Sequence, residues 1–206
     1  MLMGALGNQY GRLQSSRAGT ISESSSRTSV YLTSLTGAVV ALSFVAQAAR
    51  FGETFFVFAL AILPVVFFLG VVTYYRVLQT GVEDVIYARA MSKIQLFYSE
   101  IDPAHADLFH ASAVDQVGLR DLGLFRLWWQ QFLSTAAVIA VVNAVVGGVF
   151  IGLTAGFVFQ APSWVPPSTA VAAAVLLALA FLRHQWRTWM RVAKALPIST
   201  ATPARP

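Results

Sequence analysis

Glu100, Asp102, His105, Asp107 and His110 bring five oxygen and imidazole donors into eleven consecutive residues. Donors this close could coordinate a divalent cation, or two of the carboxyls could share acid–base work. The spacing matches no established metal site. His105 and His110 are five apart, which does not align them on one helical face, and Pro103 interrupts the run. A solvated loop is the simpler expectation. A membrane-bound, metal-dependent enzyme using His105, Asp107 and His110 is the weakest of three functional readings. The 206 residues include no cysteine, so disulfides, thiolate metal sites and cysteine nucleophiles are excluded. No cofactor and no enzymatic activity are expected.

Asn143 is the second polar feature. It lies near the middle of a long uncharged stretch, where Gln47, Asn143 and scattered Ser and Thr are the only polar groups of the apolar runs. A hydrogen bond between helices is the first reading of such a residue, and a pore-lining role is the second. Charges inside lipid mark ion and proton pathways. Their absence here speaks against proton-coupled transport.

Around Asn143, Ala136, Ala140, Ala144, Gly148, Gly152 and Gly156 fall at every fourth position. Two overlapping GxxxG units end that series, and small residues at this spacing let two helix backbones approach closely in lipid. The stripe predicts a close neighbour. Whether that neighbour belongs to the same chain or to another copy is left open by the pattern.

Near the C-terminus, Arg183, Arg187 and Arg191 recur at four-residue intervals beside Trp186, Trp189 and Met190, with Lys194 following. Besides setting topology, such a basic amphipathic extension can lie along the inner leaflet with its rings at headgroup depth and its cations near anionic lipid. Trp128 and Trp129, close to Arg126, form the corresponding belt before the third apolar stretch.

The elements that must hold these residues follow from charge. Charged residues are 11% of the chain and hydrophobic ones 57%, against about 25% charged for an average soluble domain. A core of ordinary size could not hide that much apolar surface, so the solvent for much of it is lipid. Uncharged runs from Val30 to Ala49 and from Thr54 to Tyr75 are each long enough for a crossing helix. Pro64, inside the second, removes a backbone donor and predicts a kink. The uncharged residues between Arg126 and Arg183 suffice for two more spans, 132–159 and 167–183, separated at Pro162, Ser163, Trp164, Pro166 and Pro167.

The fold class expected is therefore all-α: an integral membrane four-helix transmembrane bundle with cytoplasmic amphipathic helices. Residues 1–29, rich in Ser and Gly, read as a flexible cytoplasmic tail. A transmembrane hairpin over 30–79 follows. The segment 80–131 carries close to half of the chain's charges and reads as a cytoplasmic helical segment. In it, Val82, Ile86, Ala90, Ile94, Phe97 and Ile101 form an apolar stripe opposite Glu83, Asp84, Arg89 and Lys93, predicting an amphipathic helix that ends before Pro103. A shorter helix is expected around 107–117. The second hairpin spans 132–185, and 186–206 form a basic cytoplasmic segment. Ala46-Gln47-Ala48 resembles a signal-peptidase site, but the preceding leader is too long for that reading.

Lys and Arg number thirteen on the side of the two ends and the central segment, against Arg50 alone in the two short hairpin loops. This bias places both termini in the cytoplasm. The formal charge of +5 does not gather on a soluble face with stacking aromatics, so nucleic acid is not expected as a partner.

Arg27-Thr28-Ser29-Val30-Tyr31-Leu32, the turn at Phe51-Gly52, and Tyr87-Ala88-Arg89-Ala90-Met91 with Phe97-Tyr98 resemble small multi-pass, four-helix membrane proteins of bacteria. The resemblance covers roughly the first half of the chain and implies a bacterial inner membrane, with no functional residues to carry over. The leading expectation is a non-enzymatic membrane protein, either a self-associating bundle or an accessory subunit. Its partners would be the bilayer, anionic headgroups at the C-terminal segment, and copies or other subunits docked through the third span. The alternative is an oligomeric channel or pore-forming effector with its pathway near Asn143.

Overall fold

In a computed structural model the described residues, 2–102 and 134–195, form four helices and no strand. They are α1 (Leu2–Ala49), α2 (Glu53–Ile101), α3 (Thr135–Phe157) and α4 (Val165–Ala195). Each contains a window long and apolar enough to cross a membrane. Residues 103–133 and 196–206 lie outside the described residues, and with them the helix expected at 107–117, the His105, Asp107 and His110 group, and Trp128 and Trp129.

Two features of α1 and α2 differ from the expectation. Residues 2–29, read as a flexible tail, are the first part of α1, which continues without interruption through the first span. Likewise the amphipathic helix after Tyr75 is not separate: α2 runs unbroken through Pro64 and out to Ile101. Two antiparallel helices of 48 and 49 residues result, each about 70 Å long at 1.5 Å per residue. Beyond the apolar windows they project as a two-helix stalk of about 40 Å.

The stalk is held in one register. Tyr98 Oη donates to the Met3 carbonyl oxygen at 2.9 Å, Arg17 Nε donates to Asp84 Oδ1 at 2.7 Å, and Tyr31 lies against Gly70. These contacts are fourteen residues apart on each helix, two heptads per step. Buried positions on α2 repeat the same period, with Ala59, Leu63, Val66, Gly70, Thr73, Val77 and Thr80 separated by alternating steps of four and three. A mean step of 3.5 is the period of a left-handed coiled coil, which keeps one seam facing its partner. The tail fails the test of composition because it has little apolar area of its own. It folds because α2 supplies the other half of the seam, and helix stability in proteins comes mostly from such packing.

Several polar residues inside α1 are satisfied locally. The hydroxyls of Thr20, Thr28, Ser34, Thr36 and Ser43 donate to carbonyls three or four residues back, which satisfies them without leaving the helix. Glu23 accepts from Arg27 on its own helix and from Arg76 on α2. Hydrogen bonds from both arginines hold its carboxyl below the ordinary value of 4.5. A depressed carboxylate contributes stability above its unfolded pKa, and this is lost as pH falls through the lowered folded value. Acidification from neutral pH to below about 4 is therefore expected to speed amide exchange in the stalk around residue 23 before the spans are affected. Hydrogen exchange followed by mass spectrometry checks this, and stalk exchange that keeps pace with the spans at every pH would contradict it.

The stripe Val82, Ile86, Ala90, Ile94, Phe97 and Ile101 overlaps only in part with the face that α1 covers. Ile94 is buried, whereas Ile86, Phe97 and Ile101 are exposed among the described residues. The register inherited from the spans, rather than local hydrophobicity, decides which face of α2 meets α1.

The second hairpin is tighter. Ser134 caps α3 by accepting from the Ala137 amide, and α3 ends at Phe157, two residues short of the expected limit at Phe159. Pro166 and Pro167, expected in the loop, sit in the first turn of α4, where a missing N–H costs no helical bond. At its other end α4 continues twelve residues past Arg183 to Ala195. The basic segment therefore prolongs the fourth span instead of folding flat as a separate element. Tyr31, Leu63, Val66, Tyr74, Ile139, Ala140 and Val146 lie in the common core.

Candidate functional site

Among the described residues, three contacts join buried polar side chains to a second helix near the apolar core. In the first, Asn143 is fully buried on α3, and its Oδ1 lies 3.4 Å from the hydroxyl of Tyr31, itself fully buried. That is a long hydrogen bond by comparison with the usual 2.7–2.8 Å between oxygens. Asn143 Nδ2 has no hydrogen-bond partner among the described residues. Gly70 on α2 makes the room: a Cβ there would collide with Oδ1 and Cγ of Asn143 and stand 2.8 Å from Tyr31 Cε2. Glycine is required at this position for close approach rather than for an unusual backbone angle.

In the second contact, Tyr74 of α2 donates its hydroxyl to the Phe181 carbonyl of α4 at 2.7 Å. Its ring meets Phe181 edge to face at 4.9 Å, and His184 packs against Tyr75 at 5.0 Å. In the third, buried Gln185 of α4 donates to Ser134 Oγ at 2.9 Å, so the residue that caps α3 also receives a bond from α4. Together the three contacts tie α1 to α3, α2 to α4 and α3 to α4. Tyr74 Oη also lies 3.4 Å from His184 Nδ1, but its proton goes to the Phe181 carbonyl, and what the arrangement supplies is register between helices.

The small-residue stripe finds its neighbour within the same chain. A Cβ on Gly152 would lie 2.6 Å from both the Pro166 carbonyl oxygen and the Ala170 Cβ. On Gly148 it would collide with the Ala170 carbonyl oxygen and stand 2.7 Å from the Ala174 Cβ, and on Gly156 it would stand 2.9 Å from Pro166 Cγ. These glycines therefore face α4. Ala140 and Ala144 are buried, and Gly147, one position beside the stripe, faces Phe67 of α2 and Leu177 of α4. The pattern predicted a close neighbour, and α4 occupies that place at Gly148, Gly152 and Gly156.

Among the aromatic and basic residues expected at the lipid interface, Arg183, Trp186, Arg187 and Arg191 are exposed on one face of α4. Trp189 differs. It belongs to the residues packed against the core, and its ring lies beside Gly81 of α2. Tyr31, Gly70, Tyr74 and Gln185 were not singled out as site residues. Each looks ordinary on its own helix, and only the pairing across helices gives it a role.

No group of three or more His, Asp or Glu close enough to hold a metal occurs among the described residues. Two open depressions among the described residues are each lined from a single helix: Arg183, Trp186, Arg187, Met190 and Arg191 on α4, and Glu53, Thr54, Val57, Phe58 and Ala61 on α2. Comparison with protein-family models, curated proteins and solved structures finds no match to any of the three.

Proposed function

We propose that this chain is a non-enzymatic scaffold or accessory subunit of a bacterial inner membrane, whose four spans hold the α1–α2 stalk upright on the cytoplasmic side for another protein to dock on. The observation that carries the reading is the unbroken two-heptad register from the stalk into the apolar windows, with contacts at Met3–Tyr98, Arg17–Asp84 and Tyr31–Gly70. A hinge at the membrane surface would let a tail swing freely. A continuous helical pair instead fixes height and rotation, which suits positioning a partner.

Charge supports the orientation: thirteen Lys and Arg lie towards the stalk and the two ends against one in the hairpin loops. The stalk also presents Ile86, Leu96, Phe97 and Ile101, all exposed among the described residues, as apolar contact points. Asn143 supports a helix-locking role more than a pathway, because Tyr31 and Gly70 of the same chain enclose it. Because α4 occupies the glycine stripe, docking is assigned to the stalk rather than to the third span.

Two measurements test the reading. The chain has no cysteine, so a single Lys93→Cys variant reports sidedness without background. A membrane-impermeant maleimide should leave it unlabelled in intact cells and label it after lysis. Purified in mild detergent from its native membrane, the wild type is expected in a complex heavier than the 22.3 kDa chain. Ile86→Glu with Phe97→Glu should reduce partner recovery about tenfold or more, the loss produced by roughly 1.4 kcal/mol, while helical content is unchanged. Labelling of Lys93→Cys from outside, or a complex indifferent to both substitutions, would refute the proposal.

A further inference from the structure

We infer that the exposed row Arg183, Arg187 and Arg191 of α4, together with Trp186 and Met190, is a binding site for the headgroup of an anionic phospholipid. The five side chains line one open depression on the outside of α4. The opposite side of the helix is spoken for by other contacts, since Gln185 is 2% exposed and bonded to Ser134, while Trp189 lies against Gly81 of α2. Trp186 and Met190 are 47% and 44% exposed, so apolar surface stands open directly beside the guanidinium groups.

Depth along the helix places the row at a headgroup layer. Arg183 is eighteen residues from the start of α4 at Val165, about 27 Å at 1.5 Å per residue, close to the ~30 Å of a hydrocarbon core. Arg187 and Arg191 follow at steps of about 6 Å. A span near the bilayer normal carries its first arginine to the hydrocarbon boundary and the next two through the phosphate region. Because α4 continues unbroken to Ala195, the row stands upright through that layer with its face outward.

Charge selects the ligand. Helix α4 carries Arg183, Arg187, Arg191 and Lys194 but no acidic residue, and none of the three arginines is ion-paired among the described residues. By contrast, Arg17, Arg27 and Arg76 of the stalk each have a carboxylate. A planar guanidinium presents forked donors that match phosphate oxygens, and a tryptophan ring suits the boundary between headgroup and acyl chain. A zwitterionic headgroup would bring its own cation towards three uncompensated positive charges. An anionic one would not.

The experiment uses the full chain, purified in mild detergent and stripped of lipid, then titrated with phosphatidylglycerol or with phosphatidylcholine of the same acyl chains. Bound lipid is counted by native mass spectrometry. Phosphatidylglycerol is expected to bind more tightly than phosphatidylcholine. Arg187→Gln with Arg191→Gln should weaken phosphatidylglycerol by about fivefold per arginine while leaving phosphatidylcholine unaffected. Arg187→Lys with Arg191→Lys keeps the charge but loses the fork, and should fall between. Thermal unfolding of each variant establishes that the bundle is intact, and Arg187→Gln alone serves if the double variant does not fold. Equal affinity for the two lipids, or phosphatidylglycerol binding unchanged by the glutamine substitutions in folded protein, would overturn the inference.

Discussion

Gly70→Ala is expected to destabilise the folded chain by about 1–3 kcal/mol, the usual cost of inserting a methyl group into a filled interior, although alanine is the better helix former. The new Cβ would run into the amide of Asn143 on one side and the ring of Tyr31 on the other. Both side chains are fully buried, so neither can swing out to solvent. Equilibrium unfolding in detergent measures the loss. Removing the obstacle supplies the decisive comparison: in an Asn143→Ala background, Gly70→Ala should cost markedly less. The coupling expected for residues in direct contact is about 0.5–3 kcal/mol. Strict additivity would mean that Gly70 and Asn143 do not meet and that the α1–α2–α3 contact is wrongly placed. Tyr31→Phe should cost far less than Gly70→Ala, because the hydroxyl it removes is 3.4 Å from its acceptor.

The larger effect belongs to the stripe. Gly148→Leu and Gly152→Leu are each expected to cost about 3 kcal/mol or more and to separate α3 from α4. What a side chain would meet there includes backbone: the Ala170 carbonyl and the Ala174 amide at Gly148, and the Pro166 carbonyl at Gly152. The tip of a flexible side chain can rotate away, whereas a helix backbone yields only if the whole helix shifts. Gly37→Leu is the control, because a Cβ at Gly37 in the first span meets nothing within 4 Å. A change within about 0.5 kcal/mol is expected there. Light scattering on the same samples separates the two possible owners of the stripe. If Gly148→Leu leaves monomer stability untouched and instead breaks an oligomer, the stripe serves contact between copies and the internal α3–α4 contact is refuted.

How much was legible from the residues depends on the range over which each signal acts. The apolar runs 30–49 and 54–75 could be read directly, because insertion into hydrocarbon depends on local composition and length. The same holds for the break near Pro162 and Pro166, displaced by only a few residues because proline is tolerated in a first helical turn. The helix over residues 2–29 is not legible in the sequence for the converse reason. Their composition describes what they can bury alone, and the partners of Tyr10 and Arg17 are Gln95 and Asp84, more than sixty residues away in sequence.

The stalk face of α2 shows the same limit in a single helix. Hydrophobicity alone selects Val82, Ile86, Ala90, Ile94, Phe97 and Ile101, yet of these only Ile94 is buried, beside Thr80, Asp84 and Met91 on the seam with α1. A register established over many turns inside the spans leaves the stalk no freedom to rotate. Trp189 is similar, since a tryptophan beside arginines suggests the lipid boundary, while the space over Gly81 draws it against α2.

From its residues alone, then, this chain determines that it is all-helical, which four stretches are apolar and long enough to cross a bilayer, and that a close neighbour must lie along Gly148, Gly152 and Gly156. These are properties of one segment and its solvent. Only the tertiary structure decides that the neighbour is α4, that Gly70 admits Asn143 and Tyr31 between three helices, and that a polar N-terminal stretch becomes half of a two-helix stalk. Each of those depends on the mutual distance and rotation of two helices, which no single segment encodes.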